Sequence, residues 1–295
     1  MPSPSTPDDA VFQQLRPRLF GIAYRMLGLR ADAEDVVQDA WLRWSTTDKA
    51  SLQSAEAWLV TVVTRLSIDR LRAAQAEREA YVGFWLPEPL VEVEERTPET
   101  AAELASDLSV AFLHMLERLG PEERAAFLLR QVFEHDYAEI ARVLDKSEAA
   151  VRQMVHRASE RVRQERPRFA VPREAHRRLL EKFVAAAHSG ERAAIRALLS
   201  DDAMAIGDGG GKVPAVAGGM HGGERVTNLF WAQFLRLGPR LQYRPAVING
   251  EPGLLRFLDG QLETAMAIVT DGERIRSIYA IRNPDKLARI AAPVA

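Results

Sequence analysis

The sequence predicts a multidomain protein, in which two all-α domains precede a C-terminal α+β domain. The chain has 295 residues, more than the usual ~100–200 residues of one domain. Apolar residues recur at helical spacing through the first half of the chain. Near the C-terminus, Asn249-Gly250, Asp259-Gly260 and Asp271-Gly272 are dipeptides typical of hairpin turns. Helices followed by a meander of strands are typical of the α+β class.

Composition excludes several classes of protein. Apolar residues make up 47% of the chain and charged residues 27%, as in folded globular proteins. The absence of cysteine excludes disulfides, thiolate metal sites and cysteine nucleophiles. No apolar run approaches the ~20 residues of a membrane span, and the polar, proline-rich N-terminus lacks the apolar core of a signal peptide. We therefore expect a cytoplasmic protein with no membrane partner.

Charge is nearly balanced overall but uneven along the chain. The net charge is −2. Residues 81–107 contain seven acidic residues and one basic residue, whereas residues 152–168 contain six arginines and two glutamates. A local basic helix in a neutral protein is typical of a DNA-binding element. The acidic stretch also carries Pro87, Pro89 and Pro98, which forbid a continuous helix, so we interpret it as a linker.

Helical periodicity predicts three helices before this linker. The first ends at Gly28, a residue suited to a C-cap. The second runs from Ala31 to Trp44 and the third from Ala55 to Arg78.

The second of these helices carries an acidic face. Asp32, Asp35 and Asp39 lie at i, i+3 and i+7. Such a face suits a basic protein partner and repels DNA, although an ordinary solvated surface has the same pattern. A metal site or a pair of catalytic carboxylates fits less well, because no histidine lies nearby in the sequence.

The strongest motif is a helix-turn-helix at residues 136–161. Its first helix buries Ile140 and Leu144, and Ser147 suits the N-cap of the second helix. The second helix buries Met154 and exposes a basic, polar face. This layout is typical of a helix that enters the major groove of DNA. The alternative is a plain helical hairpin with a solvated basic face.

Three stretches together resemble the extracytoplasmic-function (ECF) sigma factors, RNA polymerase sigma factors of the sigma-70 family. They are Asp-Ala-Glu-Asp-Val-Val-Gln-Asp-Ala-Trp-Leu in the second helix, Ala-Trp-Leu-Val-Thr-Val-Val-Thr-Arg-Leu-Ser-Ile-Asp-Arg-Leu-Arg at 57–72, and the helix-turn-helix near 138–158. The resemblance covers about 1–165. It implies a region 2 helical bundle at 8–80, the linker at 81–107 and a region 4 helix-turn-helix at 108–168.

The resemblance also implies two partners, core RNA polymerase and promoter DNA, and three groups of contact residues. Core polymerase would contact Asp32, Asp35, Gln38, Asp39 and Arg43. The −10 element would contact Lys49, Ser51, Gln53, Ser54, Thr61, Thr64, Arg65 and Arg72. The −35 element would contact Ser147, Glu148, Ala149, Arg152, Gln153, His156, Arg157 and Arg161. Opening the −10 element requires stacking for a flipped base; Trp58 is a candidate, although its position also fits the core.

Residues 172–295 extend beyond the sigma domains. We expect one helix over about 173–199 and four antiparallel strands near 241–248, 253–258, 261–270 and 274–281. Trp-Leu-Pro-Glu-Pro-Leu at 85–90, Asp-Gly-Gly-Gly-Lys at 208–212 and Asn-Pro-Asp-Lys-Leu at 283–287 resemble the sigma-J-like subgroup (group 41). Its members carry an extension similar to SnoaL-like cones of the nuclear-transport-factor type.

The subgroup resemblance implies a protein that is not an enzyme, needs no cofactor and is modulated in cis by its extension. The implied regulatory contacts are Trp85, Leu86, Pro87, Glu88, Pro89, Asp208, Gly209, Gly210, Gly211, Lys212, Asn283, Pro284, Asp285, Lys286 and Leu287. We expect the Trp85 segment to pack between the sigma domains or onto the extension. Ordinary linker packing is the alternative.

Two other functions stay open at this point. The cone could bind a small-molecule signal or retain enzymatic activity, with Asp202, Asp208, His221 and Tyr243 as polar groups around a cavity. Alternatively, the chain could be a stand-alone transcription regulator that uses only its helix-turn-helix.

Overall fold

The computed structural model describes most of the chain, namely residues 7–92, 108–165, 171–216 and 218–290. The end of the predicted linker and residues 166–168 of the predicted region 4 domain lie outside the described residues. No helix in the described part of the chain is long and apolar enough to cross a membrane.

The described chain divides into two compact units. The first contains residues 7–79 and 115–165, and the second contains residues 80–92, 108–114 and 171–290. The first part of the predicted linker and the residues before Met115 therefore belong with the C-terminal domain. Sequence patterns alone did not assign them there.

The first unit is built from helices. The α-helices among the described residues up to 165 are α1 Pro7–Leu27, α2 Arg30–Thr46, α3 Ala55–Ala73, α4 Gln75–Glu79, α5 Val110–Leu116, α6 Pro121–Gln131, α7 Tyr137–Leu144 and α8 Glu148–Glu165. Residues 110–114 of α5 belong to the second unit. Gly28 follows α1 with a φ of 70°, the left-handed conformation expected of a C-cap. The predicted third helix is divided at Ala74 into α3 and α4.

The helix-turn-helix forms as its sequence predicts. Asp136 and Glu139 form a reciprocal capping box at the start of α7. Asp145 adopts a φ of 53° in the turn, and the Ser147 Oγ accepts a hydrogen bond from Ala150 N at 3.2 Å. One core prediction was imprecise, because Val143 is buried and Leu144 is only half-buried. The pair is adjacent, so the helix is rotated slightly from the predicted orientation.

The second unit packs helices on a seven-stranded sheet within its described residues. The helices are α9 Arg173–Ser189, α10 Arg192–Leu198, α11 Gly223–Leu237 and α12 Pro284–Leu287. The strands are β1 Val91–Glu92, β2 Leu199–Asp208, β3 Met220–His221, β4 Leu241–Ile248, β5 Glu251–Leu258, β6 Gln261–Thr270 and β7 Ile275–Ile281. Their order is β1-β4-β5-β6-β7-β2-β3, with β2 parallel to β7 and the other pairs antiparallel.

The four predicted strands are confirmed, but the single helix predicted over 173–199 was wrong. Gly190 interrupts it in the left-handed conformation, with a φ of 70°. A Cβ at this position would lie 2.0 Å from the Phe234 ring, so the turn between the two helices requires glycine. Two of the predicted turns have positive φ at both central residues, at Asn249-Gly250 and Asp259-Gly260. At Asp271-Gly272 only the glycine does.

Both faces of this sheet are buried. Alternate residues of the central strands, such as Leu254 and Met266, join the side chains of α9, α10 and α11 in one core. Their neighbours on the opposite face, such as Leu255, join a second core that contains Leu86 of the linker and Val110 of α5. The linker therefore covers a sheet face that would otherwise expose apolar residues to water.

Candidate polymerase and promoter interfaces and a buried motif cluster

The acidic face of α2 is partly neutralised within the first unit. Arg70 on α3 contacts Asp32 at 3.2 Å and Asp35 at 2.7 Å. Gln38, Asp39 and Arg43 are exposed, while the opposite side of the helix is buried. Leu42 lies on the exposed side with 57% of its surface accessible, an apolar contribution that the charge pattern did not predict. An exposed leucine among charged groups is a surface suited to a protein partner.

Several candidate −10 residues surround the start of α3. Lys49 and Ser51 belong to a short 3₁₀ helix, Gln53 is exposed, and Ser54 caps α3 by accepting a hydrogen bond from Ala57 N at 3.2 Å. Thr61 is half-buried on the next turn and donates to Ala57 O at 2.7 Å.

Thr64 corrects the predicted −10 surface, and Trp58 takes the position at the core that its sequence pattern also fitted. Thr64 is fully buried in this structure, because it lies on the apolar stripe of α3 between Val60 and Ile68. It therefore cannot contact DNA in this conformation. The Trp58 ring packs against Trp44 with the ring centroids 5.8 Å apart, as expected for a residue at the edge of the core.

The two −10 arginines contact the helix-turn-helix part of the same unit. Arg65 donates from Nε to Val143 O at 2.9 Å and from Nη2 to Arg142 O at 3.1 Å, at the C-terminal end of α7. A cation is favoured there by the helix dipole. Arg72 contacts Glu122 at 2.5 Å. Both cations are therefore occupied by protein groups in this conformation.

The candidate −35 surface is the exposed side of α8 and its cap. All eight of its predicted residues are exposed: Ser147, Glu148, Ala149, Arg152, Gln153, His156, Arg157 and Arg161. Arg152 contacts Glu148 at 2.8 Å, and Arg161 contacts Glu123 at 2.8 Å. Arginine and glutamine side chains on one exposed helix face match the groups that read guanine and adenine edges.

A buried ion cluster joins the two halves of the first unit. Glu117 lies between the guanidinium groups of Arg78 and Arg124, with Arg124 at 2.7 Å. The same arginines donate to Leu27 O and Met26 O at the end of α1, each at 2.6 Å. Burial alone would raise the pKa of Glu117, but Arg124 and Arg78 outweigh it and hold the pKa below its ordinary value. No sequence motif marks these three residues.

The three subgroup motifs meet in the second unit, in a motif cluster formed by Tyr81, Leu86, Asp208, Asn283 and Lys286. The Lys286 Nζ lies 2.7 Å from Asp208 Oδ2 and also donates to Leu86 O. The Asp208 carboxylate accepts hydrogen bonds from Leu86 N at 2.9 Å and from the Tyr81 hydroxyl at 2.6 Å. Asn283 donates to the same hydroxyl at 2.9 Å.

This motif cluster is shielded from water. The side chains of Asp208 and Lys286 are 0% and 5% exposed. The Lys286 Nζ lies 4.1 Å from the centre of the Trp85 ring and 5.1 Å from that of Tyr81, within cation–π range. Burial and the Asp208 carboxylate raise the pKa of Tyr81 well above its ordinary value, so this hydroxyl stays protonated as a donor. A buried charge pair with this many hydrogen bonds fixes one geometry.

The other motif residues shape the surroundings of this cluster. Leu86 to Pro89 are buried, including Glu88 at 6% exposure. In the glycine loop, Gly210 has a φ of 62°, and a Cβ there would lie 2.4 Å from Asn283, so the loop needs glycine. Lys212 contacts Asp285 at 2.6 Å near the surface. The remaining regulatory candidates, Gly209, Gly211, Pro284 and Leu287, lie within the same loop or in α12.

Asn249 anchors the linker a second time. Its side chain accepts from Leu90 N at 3.0 Å and donates to Leu108 O at 3.1 Å. Val91 pairs with Ile248 at the edge of the sheet. The linker is therefore bound on both sides of its undescribed part, a role that the turn motif at Asn249 did not predict.

The four polar residues considered for an enzymatic or ligand site do not act together. Asp208 belongs to the motif cluster, and Asp202 contacts Arg276 at 3.1 Å. His221 is exposed. Tyr243 belongs to the core on the helical side of the sheet. This arrangement does not form the proposed acid–base set.

Comparisons with known proteins identify two sigma-factor regions in the chain. The family model of sigma-70 region 2 matches residues 11–77, and that of sigma-70 region 4 matches residues 109–162. ECF RNA polymerase sigma factor SigJ of Mycobacterium tuberculosis is 39% identical over 287 residues, covering 93% of this chain and 91% of SigJ. Probable ECF RNA polymerase sigma factor SigI of the same species is 27% identical over 288 residues, covering 97% of each chain.

The crystal structure of the Mycobacterium tuberculosis ECF sigma factor SigJ extends the likeness to the C-terminal domain. It matches with a TM-score of 0.77 at 36% identity, covering 95% of this chain and 98% of SigJ. The expected fold is thus confirmed, with helical sigma regions 2 and 4 followed by a mixed α/β sheet domain. The chain belongs to the extracytoplasmic-function sigma factors of the sigma-70 family and functions in transcription initiation.

Proposed function

We propose that this sigma factor binds core RNA polymerase through the exposed side of α2 and reads a promoter with two separate surfaces. The −10 surface comprises the start of α3 with Arg65 and Arg72, and the −35 surface is α8. The exposed acidic and apolar groups of α2 support the first assignment, and the exposed Arg152 and Gln153 support the last. Such a protein is a transcription factor and not an enzyme, and its proposed site of action is the cytoplasm.

Reversing the charge of Asp39 tests the polymerase surface. Asp39→Arg should weaken the complex with purified core polymerase at least tenfold, because an exposed rim carboxylate would face a basic partner. Duplex affinity of the free chain should stay within about twofold. Sedimentation or fluorescence titration with core polymerase measures the first quantity. Glu174→Gln on α9 of the second unit serves as a control. Equal binding by wild type and Asp39→Arg would refute the assignment.

We also propose that the second unit modulates initiation in cis by holding the linker. The carrying observation is the motif cluster, in which Lys286 and Asp208 bind both main-chain groups of Leu86. Region 4 begins at residue 109 by its family match, yet Val110 and Ala111 are buried in the core of the second unit. When part of the linker is bound, a shorter length of free chain connects the −10 surface to the −35 surface. The two surfaces can then adopt a narrower range of distances from each other.

Spacer-length dependence of transcription tests this modulation. A chain that ends before Asn283 lacks Lys286 and should release the linker, so it should tolerate a wider range of −10 to −35 spacings than the full chain. Run-off transcription with core polymerase on a promoter library of varied spacing measures this. Arg240→Gln, which changes an exposed pair with Asp259 elsewhere in the second unit, should behave as wild type. The same spacing profile and yield for the full and shortened chains would remove the proposal.

A further inference from the structure

Two glutamates at the start of α6 contact cations from three parts of the first unit. Glu122 contacts Arg72 of α3 at 2.5 Å and Lys146 of the helix-turn-helix turn at 3.0 Å. Glu123 contacts Arg161 of α8 at 2.8 Å and Arg157 of α8 at 3.7 Å. Two carboxylates are therefore shared among four cations.

The position of this glutamate pair in α6 suits its negative charge. Gly120 and Pro121 begin α6, so the pair occupies the first turn of an 11-residue helix. The N–H groups of a first turn favour anions. Both side chains are half-shielded, with exposures of 33% for Glu122 and 20% for Glu123.

Three of the four cations are proposed DNA contacts. Arg72 belongs to the −10 surface, and Arg157 and Arg161 belong to the −35 surface. Carboxylates and phosphates offer arginine the same kind of charged, two-oxygen acceptor. The glutamate pair thus supplies in the free protein the interaction that DNA phosphates would supply in the complex.

The pair lies at a cleft between two of the proposed DNA-binding elements. The cleft has a volume of about 540 Å³ and is lined by Arg72 and Gln75 on one side and by Gln153 and Arg157 on the other. Residues of the −10 surface and of the −35 surface therefore lie around the same acidic pair.

We propose that Glu122 and Glu123 are an internal substitute for promoter phosphates that keeps the DNA-binding cations occupied until a promoter displaces it. This inference rests on the proposed function of Arg72, Arg157 and Arg161. Exposed ion pairs are individually weak, so the substitute is readily exchanged for the dense phosphates of a duplex. Its effect is to weaken non-specific DNA binding by the free sigma factor.

Neutralising the pair tests the inference. In the full chain, Glu122→Gln/Glu123→Gln should bind a fluorescein-labelled duplex of mixed sequence about three- to tenfold more tightly than wild type at low salt. The gain in affinity should shrink as the salt concentration rises. When wild type binds DNA, its two freed carboxylates take up solvent cations, which partly offsets the counterions released from the DNA. The variant has no such offset, so its affinity should fall more steeply with salt. Fluorescence anisotropy over a salt series measures both quantities, and calorimetry verifies that the variant folds.

A matched control separates this effect from bulk charge. Glu134→Gln/Glu160→Gln removes the same total charge from the same unit. Glu134 is an exposed turn residue, and Glu160 contacts Arg163 at 2.9 Å. We expect the affinity of the Glu122/Glu123 variant for the duplex to be at least threefold higher than that of this control at low salt. Equal gains in the two double variants would overturn it.

A third arm tests the proposed function on which the inference depends. Arg157→Ala/Arg161→Ala should weaken duplex binding severalfold and reduce its salt dependence. If this variant binds as wild type does, the assigned −35 surface is wrong and the inference falls with it. If it binds weakly while the Glu122/Glu123 variant matches its charge control, the −35 surface stands and only the internal substitute is refuted.

Discussion

Replacing Lys286 with methionine is expected to lower the free energy of unfolding of the second unit by about 3–5 kcal/mol. The substitution keeps most of the side-chain volume. It removes the ammonium group that lies 2.7 Å from the Asp208 carboxylate in the motif cluster. The Asp208 side chain is 0% exposed, so water cannot replace the ammonium group without opening the cluster. Removing one partner of a buried pair leaves an uncompensated charge, which costs far more than the pair contributes.

The measurement needs to follow the linker as well as the domain. Calorimetry of the full chain should show an earlier transition, and amide exchange should rise over residues 81–92, because Leu86 N and O both bind the lost pair. Asp208→Asn should have the same effect, since it removes the carboxylate that contacts the buried Lys286 ammonium group. Lys212→Gln is the matched control: its pair with Asp285 is 55% and 64% exposed, so its effect should be at most about 1 kcal/mol. A Lys286→Met protein as stable as the control would contradict the role of the buried pair.

In the second unit, local sequence signals predicted individual strands and turns better than they predicted which strands pair with each other. The turn dipeptide at Asn249-Gly250 fixes a hairpin through the φ preferences of its two residues, so it is visible without tertiary structure. Strand β2 was missed because Ser200, Asp201 and Asp202 begin it with a polar run. Its pairing with β7 is a long-range contact that no local pattern encodes.

The motif cluster shows the same limit. Each motif was recognised as a unit, and contacts of the extension with the Trp85 segment were expected. The partner of each side chain was not, because Leu86 and Asp208 are separated by 122 residues. Asp285 and Lys286 bind the glycine loop and the linker, at Lys212 and Leu86.

In the first unit, helical periodicity predicted the charged faces that reach the surface, whereas the resemblance misplaced one residue of α3. Thr64 was assigned to DNA by resemblance, although it lies four residues from both Val60 and Ile68 on the buried stripe of α3. That spacing was the available signal. The hydrogen bonds from Arg65 to the carbonyl groups at the end of α7 could not be predicted from the sequence. Every residue has a main-chain carbonyl group, so the identity of the acceptor residue carries no signal.

Replacing Glu117 with glutamine is expected to destabilise the first unit by about 3–5 kcal/mol. Glutamine preserves the shape but removes the carboxylate that the guanidinium groups of Arg78 and Arg124 share, and the Arg124 side chain is only 3% exposed. Both arginines also bind the carbonyl groups that end α1, so the loss should loosen the junction between the sigma-region helices. Glu56→Gln is the control, because its 2.8 Å pair with Arg18 is about 40% exposed and should contribute at most about 1 kcal/mol.

The pH dependence of this difference identifies its cause. The pKa of Glu117 is held below its ordinary value of 4.5 in the folded chain, so the unfolded chain takes up the proton first as the pH falls. The stabilisation by the carboxylate is therefore complete above pH 4.5 and is lost as the pH falls through the folded pKa. Chemical denaturation of wild type and Glu117→Gln should accordingly give a large difference at pH 7 that narrows below pH 4.5. If a difference of constant size persists to the lowest pH at which both proteins fold, packing rather than charge is the source of the effect, and the assigned role of the ion cluster is wrong.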